Sequence, residues 1–286
     1  MRERGIEGIG HSTDASAQRV LDTDRLMEDL DDKILLRVMT YNIHSCVGAD
    51  GEADPGKITA IIADLDVDIA ALQEVDAGHP AHAYRDQAQI IAAELGVRHL
   101  YFPVEQAGLR RFGLAVLSRF PIVAFDRLRL PNVYPLLNPR RRGALCSILA
   151  TPAGRIHLIN THLSLFRLER RLQLNALMAG DGVPAGAADA PLIFCGDLNS
   201  GPSSAVHKQL SRRLTDVQAT SLGGSAKATF HAKDPFFRLD HIFVSSHFTP
   251  LKTEVRRTAA TAAASDHLPL VVELELKKSS GSAAFL

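Results

Sequence analysis

Six apolar segments of strand length each meet a cluster of polar residues, and this pattern constrains the fold more than any other feature of the chain. The first segment runs from Ile34 and ends at Asn42, and a second, residues 68–72, ends before Gln73 and Glu74. Apolar runs of this length, bounded by polar residues, predict strands. Because a rigid sheet presents the side chains at its strand ends to a shared cleft, we expect these clusters to form one site.

Helical spacing of apolar residues separates some of the predicted strands. It predicts a helix over residues 57–65, a second over residues 85–95 that ends at Gly96, and an Arg-rich amphipathic helix over residues 165–178. A connector is predicted between the strand of residues 239–246 and the last strand, residues 268–276. Strands outnumber helices and alternate with them irregularly, which favours one α/β (α+β) domain over a doubly wound sheet.

The ends of the chain differ in composition from its centre. Residues 1–33 are polar and predict a flexible N-terminal arm, residues 34–276 predict the folded domain, and residues 277–286 predict a tail. No apolar run reaches the roughly 18 residues of a transmembrane span, and the N-terminus lacks the apolar core of a secretory signal. We therefore expect a cytoplasmic protein without a transmembrane segment, of unknown oligomeric state.

The charge balance argues against a strongly cationic nucleic-acid binder. The 32 Lys and Arg residues equal the 32 Asp and Glu residues, so the formal net charge is zero. Tryptophan is absent, and 12 Phe with 4 Tyr are a thin supply of rings for base stacking. A nucleic-acid substrate stays open but is not favoured.

The polar clusters combine carboxylates, asparagines and histidines. Carboxylate and amide oxygens are hard ligands of the kind that Mg²⁺ or Mn²⁺ prefers, and imidazoles transfer protons near neutral pH. An isolated Asp or Asn after a strand is typically a turn residue, so the prediction rests on the clusters occurring together. The sequence contains no P-loop, no G-x-S-x-G elbow and no His-x-x-x-His pair as a competing motif.

Six segments resemble, in order, those of the endonuclease/exonuclease/phosphatase superfamily, which includes deoxyribonuclease I. They are YNIH (41–44), LQEVD (72–76), INTHLS (159–164), CGDLNS (195–200), RLDHIFVS (238–245) and SDHLPLVVEL (265–274). The resemblance is greatest to its bacterial metal-dependent hydrolases. It implies a four-layered α/β sandwich, in which two packed mixed β-sheets are flanked by helices.

The same resemblance implies a site residue by residue. The metal ligands would be Asn42, Glu74 and Asp266, binding Mg²⁺ or Mn²⁺, and Arg142 would contact the substrate phosphate. The catalytic residues would be His162, Asp197, Asn199, Asp240 and His267. His267, polarised by Asp240, would take a proton from the attacking water, while His162 would stabilise the phosphorane or protonate the leaving oxygen.

Two positions depart from the pattern of the superfamily. Leu114 stands where many bacterial relatives carry asparagine, so it is expected to remove a polar group from the cleft. Arg110 and Arg111 stand near the place of a glutamate that pairs with the middle histidine in deoxyribonuclease I-like members. His241 follows Asp240 directly and is expected to face away from the site, because neighbouring strand residues point to opposite faces.

The favoured function is a metal-dependent phosphodiesterase that acts on a small or lipid-linked phosphoester, such as a lipid headgroup, by in-line attack of water. A DNA or RNA endo- or exonuclease and an inositol-phosphate phosphatase are alternatives on the same chemistry. A non-catalytic binding module on the same fold is an alternative of another class.

Overall fold

Two sheets of six strands each form the centre of the protein in a computed structural model, which describes residues 33–80, 85–136, 139–179, 190–220 and 226–277. The strands are β1 Lys33–Asn42, β2 Ile69–Ala77, β3 Arg98–Ala107, β4 Arg110–Ser118, β5 Ile122–Arg129, β6 Gly143–Thr151, β7 Gly154–His162, β8 Leu192–Asp197, β9 Thr215–Asp216, β10 Asp240–Val244, β11 Phe248–Val255 and β12 Leu270–Lys277. The helices are α1 Pro55–Leu65, α2 Gln87–Leu95, α3 Arg167–Ala179, α4 Ala205–Leu210, α5 Val217–Thr220 and α6 Ala259–Ala264. Residues 1–32 of the predicted arm and residues 278–286 of the predicted tail lie outside the described residues.

Both sheets are mixed. The first has the order β11-β12-β1-β2-β4-β3, and the second has the order β5-β6-β7-β8-β10-β9. Each contains one parallel pair, β1 with β2 and β7 with β8, and antiparallel neighbours elsewhere. Each parallel pair requires a crossover connection, which α1 provides in the first sheet and α3 in the second.

Three apolar cores separate the layers. The central core lies between the sheets and includes Val38, Val116 and Leu158. A second core packs the first sheet against α1 and α2, and a third packs the second sheet against α3 and α4. The order helix, sheet, sheet, helix confirms the four-layered α/β sandwich. No helix in the described ranges is long and apolar enough to cross a membrane.

Local sequence explains where the first two helices begin and end. The side chain of Asp54 caps α1 by accepting from the Gly56 N–H at 2.9 Å, and Pro55 occupies the first turn. Asp86 caps α2 in the same way, and Gly96 ends it in the left-handed conformation at φ 66°. The predicted boundaries of these helices therefore agree with the structure to within about two residues.

The prediction that an irregular connector precedes the last strand is wrong. Residues 248–255 form β11, an edge strand that pairs with β12, and residues 259–264 form α6. The strand alternates buried and exposed residues only weakly, and a bulge near Pro250 interrupts its register. Its sequence therefore lacks the regular period of two that marks a half-buried strand.

The strand directions bring the polar clusters to one edge of the sandwich. Asn42 and His162 end strands that run toward this edge, and Asp197 ends β8 beside His162 in the parallel register. Asp240 begins β10 opposite Asp197, because that pair is antiparallel. Arg142 precedes β6, which starts opposite His162, so it reaches the same edge.

A buried polar link joins the two sheets directly beneath that edge. The Asn160 side chain, on β7, donates to the Leu72 and Ala115 carbonyls of the first sheet at 2.9 Å each. Its oxygen accepts from Gln73 Nε2 at 2.8 Å, and Gln73 also donates to Thr40 Oγ1 at 3.0 Å. Because the Gln73 and Asn160 side chains are fully buried, these bonds fix how the two sheets sit relative to each other.

We expect Asn160→Ala to lower the free energy of unfolding by about 2–3 kcal/mol, since it leaves the Leu72 and Ala115 carbonyls buried without donors. Urea unfolding followed by circular dichroism measures the change. Ser147→Ala is the matched control, because Ser147 is also buried between strands but donates one long bond, 3.5 Å, to the Leu158 carbonyl. A loss for Asn160→Ala no larger than for Ser147→Ala would show that the link does not hold the sheets together.

Candidate active site

His267 and Asp240 form a buried pair at the centre of the edge. His267 Nδ1 lies 2.8 Å from Asp240 Oδ2, and both side chains are buried. The backbone N–H of Asp240 donates to Thr229 Oγ1 at 3.2 Å, which holds the start of β10 in place. With Nδ1–H donating to Asp240, the other ring nitrogen, Nε2, faces Asp197 Oδ2 at 3.7 Å.

Burial and charge act in opposite directions on this group of residues. Burial alone lowers the pKa of His267, but the carboxylates of Asp240 and Asp197 outweigh it and raise the pKa above its usual value. Burial raises the pKa of Asp197, and the nearby His267 charge opposes that rise. The two groups therefore titrate as a pair, in which each charge stabilises the other.

His162 is a second buried imidazole, on the opposite side of Asp197. Its Nε2 lies 3.4 Å from Asp197 Oδ2 and 3.0 Å from the Asn199 amide nitrogen, while its Nδ1 lies 3.9 Å from Glu74 Oε1. Burial, followed by the positive charge of Arg142, holds the pKa of His162 well below its usual range. His162 is therefore a neutral hydrogen-bonding group at neutral pH.

Glu74 reaches the site because β2 bulges at this residue. Gln73 pairs with Leu114 and Val75 with Gly113, so Glu74 has no partner on β4 and adopts the left-handed conformation at φ 56°. Such a bulge turns a side chain out of the regular alternation and is common beside active sites. Non-glycine residues in this conformation carry strain, which the surrounding structure must offset.

Gly113 explains why β4 tolerates bulges on both of its neighbours. It pairs with Val75 across the β2 bulge and with Pro103 across a bulge in β3. A Cβ atom at Gly113 would lie 1.8 Å from the Phe102 carbonyl oxygen, so no other residue fits there without moving the strands.

Asn42 connects the two sheets at the site. Its Nδ2 donates to Glu74 Oε1 at 3.3 Å and to Asp197 Oδ2 at 3.1 Å. Its Oδ1 accepts from the His44 N–H at 3.1 Å, so ligation of a metal by that oxygen would require the amide to turn over. Asn42 thus draws two carboxylates from different sheets toward one point.

Asp266 lies at the rim. Its Oδ1 is 4.0 Å from His44 Nδ1, and its side chain is about one-third exposed. No hydrogen bond joins it to Glu74 or Asp197 among the described residues. Its neighbour Ser265 donates to the Asn42 carbonyl at 2.8 Å and accepts from the His267 N–H at 3.2 Å, which ties this loop to β1.

Arg142 is buried with part of its guanidinium unpaired. Its Nε has no hydrogen-bond partner, although the negative charges of Asp197 and Glu74 act on the group. Burial lowers the pKa of Arg142, and those two carboxylates oppose the change. A buried donor without a partner beside the cleft is suited to an anionic group of a ligand.

The two departures from the superfamily pattern have different outcomes. Leu114 is buried in the core between the sheets. Arg110 and Arg111 lie 4.0 Å from Asp76 and 3.4 Å from Asp86, and neither contacts His162. The carboxylate beside the middle histidine is Glu74 instead.

His241 faces away from the site, as predicted, and belongs to a separate buried group. Its Nε2 lies 2.8 Å from the Ser200 carbonyl, and its ring meets that of His207 edge to face, with the ring centroids 5.1 Å apart. His207, Asp216 and His241 bring three potential ligand atoms within 4.8 Å of one another. Asp216 is already paired with both His207 and Arg238, whereas His241 Nδ1 is buried without a hydrogen-bond partner in the described ranges.

Three supporting residues escaped the sequence-based prediction. Ser265 and Thr229 act through hydrogen bonds to backbone segments far away in the chain, and His44 meets Asp266 only because the turn His44–Cys46 is left-handed. The serine of the SDH segment was the one available signal, because a hydroxyl two residues before His267 can accept its N–H.

In an alignment of 267 residues that covers 87% of this chain and the full length of the relative, the protein is 27% identical to the Uncharacterized protein YbhP of Escherichia coli (strain K12). An endonuclease/exonuclease/phosphatase from Beutenbergia cavernae DSM 12333 superposes with a TM-score of 0.69 at 24% identity, covering 85% of this chain and 72% of that one.

A third similar protein is the mannosyl-6-phosphatase Bt3783 of Bacteroides thetaiotaomicron. The two structures superpose with a TM-score of 0.69 at 20% identity, and the match covers 84% of this chain and 99% of the Bt3783 chain. At these identities the likeness to solved structures shows the fold alone. Residues 39–267, which include all nine predicted site residues, match the sequence model of the Endonuclease/Exonuclease/phosphatase family. The chain therefore belongs to the endonuclease/exonuclease/phosphatase family.

Proposed function

We propose that the protein is a divalent-metal-dependent phosphodiesterase that hydrolyses its substrate by in-line attack of water. One observation carries the proposal: His267, His162, Asp197 and Glu74 come from four distant segments, and each lies within 4 Å of another. Members of the family are hydrolases that act on phosphoesters. A non-catalytic module has no need to bury two histidines and three carboxylates together at a cost in desolvation.

The donor atoms at the site fit a hard cation such as Mg²⁺ or Mn²⁺. Glu74 and Asp197 place carboxylate oxygens on one amide nitrogen of Asn42, and Asp240 has a buried Oδ1 without a partner. We assign metal binding to Glu74, with Asn42 and Asp266 as further ligands. A bound dication would neutralise phosphate oxygens and make the phosphorus more electrophilic.

His267 is the proposed general base. Asp240 fixes the orientation of the ring, so that Nε2 points into the cleft toward Asp197. His267 can accept the proton of the attacking water only in its neutral form, which the charge of a dication bound beside Asp197 would favour against the raised pKa. Asp240 would then stabilise the imidazolium that forms. Asp197 and Asn199 would position that water and the phosphate, because Asp197 Oδ1 accepts from the Asn199 N–H at 2.8 Å and holds the turn in place.

His162 and Arg142 would act on the phosphoryl group. A neutral His162 would stabilise the pentacoordinate phosphorane by a hydrogen bond. Protonation of the leaving oxygen would require the imidazolium form, which the lowered pKa of His162 disfavours. The Arg142 guanidinium would bind a non-bridging oxygen through its unpaired Nε. Arg142 is the one arginine, within the described ranges, that is buried beside Asp197 and Glu74, and one fixed positive charge suits a singly charged phosphodiester.

A panel of substrates tests the substrate class. Bis-p-nitrophenyl phosphate, DNA, RNA, inositol phosphates and sphingomyelin should each be assayed with Mg²⁺ and with Mn²⁺. We expect metal-dependent turnover of the small or lipid-linked diesters. Absence of metal-dependent turnover on every member of the panel would leave the non-catalytic module as the remaining interpretation.

We expect His267→Ala to lower kcat on bis-p-nitrophenyl phosphate by about 10² to 10⁴-fold, because general-base groups contribute on that order. The control is His157→Ala, which removes an imidazole on β7 that is half-buried and makes no contact with the site. The control should keep its activity within about twofold. If His267→Ala retained turnover within about tenfold of the wild type, the base assignment would be wrong.

We expect Glu74→Gln to weaken Mn²⁺ binding by about tenfold or more, because it removes one ligand charge and keeps the shape of the side chain. Isothermal titration calorimetry with Mn²⁺ alone measures the change without reference to turnover. Glu275→Gln is the control, since Glu275 pairs with Lys33 at 3.5 Å, at the end of β1 opposite Asn42. Equal Mn²⁺ affinities for the two variants would remove Glu74 from the metal site.

A further inference from the structure

The outward face of α3 and the loop before it expose a row of large apolar side chains. We call this row the α3 ridge. Its members and their exposed fractions are Leu165 at 66%, Phe166 at 37%, Leu168 at 51% and Leu172 at 38%. The inward face of the same helix carries its own buried leucines, Leu174 and Leu177, so the helix does not need the ridge for its packing.

The α3 ridge is fixed at the mouth of the candidate site. The Leu163 N–H donates to the Asp197 carbonyl at 2.9 Å, and Asn199 Nδ2 donates to the Leu163 carbonyl at 2.9 Å. The Arg170 Nη1 then donates to the carbonyls of Ser164 and Leu165 at 3.1 and 2.6 Å, which pins the loop to the first turn of α3. The ridge therefore begins three residues after His162, on a rigid support.

Positive charge lies beside the apolar row. Arg167 and Arg171 are one turn apart on the exposed side of α3, and neither has a carboxylate partner in the part of the chain that the structure describes. The one acidic residue of residues 165–179, Glu169, points inward, where it accepts from Ser164 Oγ at 2.6 Å. A helix face of exposed leucines and arginines without carboxylates is typical of segments that lie in a membrane interface.

We propose that the α3 ridge, with Arg167 and Arg171, docks on an anionic lipid surface. The leucines and Phe166 would enter the boundary between headgroups and acyl chains, and the two arginines would stay at the level of the lipid phosphates. In that orientation the cleft beside His162 faces the headgroups. The further statement that the substrate is a phosphoester of that surface rests on the proposed function.

The charge of the α3 ridge favours an anionic lipid surface over a second copy of the chain as its partner. A two-fold contact through the α3 ridge would bring Arg167 and Arg171 of both copies together. Residues 165–179 expose no carboxylate that would offset the repulsion between these positive charges. An anionic surface matches the same charges. Aromatic area next to the ridge adds to the apolar surface, since the Tyr134 ring lies 5.7 Å from that of Phe166.

The test is co-sedimentation of the full chain with vesicles of phosphatidylcholine alone and of phosphatidylcholine with phosphatidylglycerol. We expect binding to the anionic vesicles that weakens as salt rises. The triple variant Leu165→Ser, Leu168→Ser and Leu172→Ser should lower the partition coefficient by about tenfold or more. The pair Arg167→Gln and Arg171→Gln should lower it by about tenfold on anionic vesicles and remove its salt dependence.

Val123→Ser with Phe125→Ser is the matched control. These residues are 48% and 49% exposed on the edge strand β5, away from α3, so their loss should leave vesicle binding unchanged. Every variant should keep wild-type turnover of bis-p-nitrophenyl phosphate within about twofold, which shows that it is folded. Equal loss of binding in the control and the triple variant would overturn the proposal.

The outcomes separate docking from catalysis. Vesicle binding without turnover of any phosphoester would refute the proposed function and leave the docking surface standing. Turnover of the soluble diester without binding to anionic vesicles would refute the docking surface and leave the proposed function standing. If sedimentation velocity showed a dimer that the triple variant dissociates, and vesicle binding did not change, the ridge would be an interface between copies and the proposal would be wrong.

Discussion

The site is divided between two sheets, so its geometry depends on the polar contacts that cross from one sheet to the other. Asn42 and Glu74 belong to the first sheet, whereas His162 and Asp197 belong to the second. Apolar packing between sheets is non-directional and tolerates small sliding motions. The hydrogen bonds of the Asn160 side chain do not tolerate such sliding, because its amide nitrogen donates to two backbone carbonyls of the first sheet at 2.9 Å each. Directional bonds one layer below the cleft therefore set the distances within it.

Electrostatics gives the same arrangement a second constraint. Asp197 and Asp240 are buried and lie close to each other, and their mutual repulsion is offset by His267 from one side and by the Asn42 amide from the other. Removing either partner would leave carboxylates buried without compensation, which costs more than the contact itself contributes. The protein thus keeps two buried carboxylates where apolar side chains would make the folded state more stable. Such a retained cost is typical of a functional site.

Much of this arrangement was predictable from the sequence, and the residues that were not show why. The strand tips at Asn42, His162 and Asp197 follow from apolar runs that end in polar residues, and the four-layered sandwich followed from the ordered motifs. The position of Glu74 depends on a bulge that exists because Gly113 permits two irregular neighbours, and no local pattern marks it.

The α3 helix connects the chemistry of the cleft to the outer surface. It follows His162 by a few residues, and its first turn is tied back to the site loop through Arg170, so it cannot move independently of β7. Its exposed leucines, and its two arginines without a carboxylate partner among the described residues, have no role in packing the sandwich. A short, rigid link between a surface of this composition and a phosphate site favours substrates whose phosphate lies at a boundary between water and lipid. The apolar face would hold the cleft at the boundary between water and lipid. Hydrolysis of a soluble diester would use the same residues of the cleft but would not need the α3 ridge.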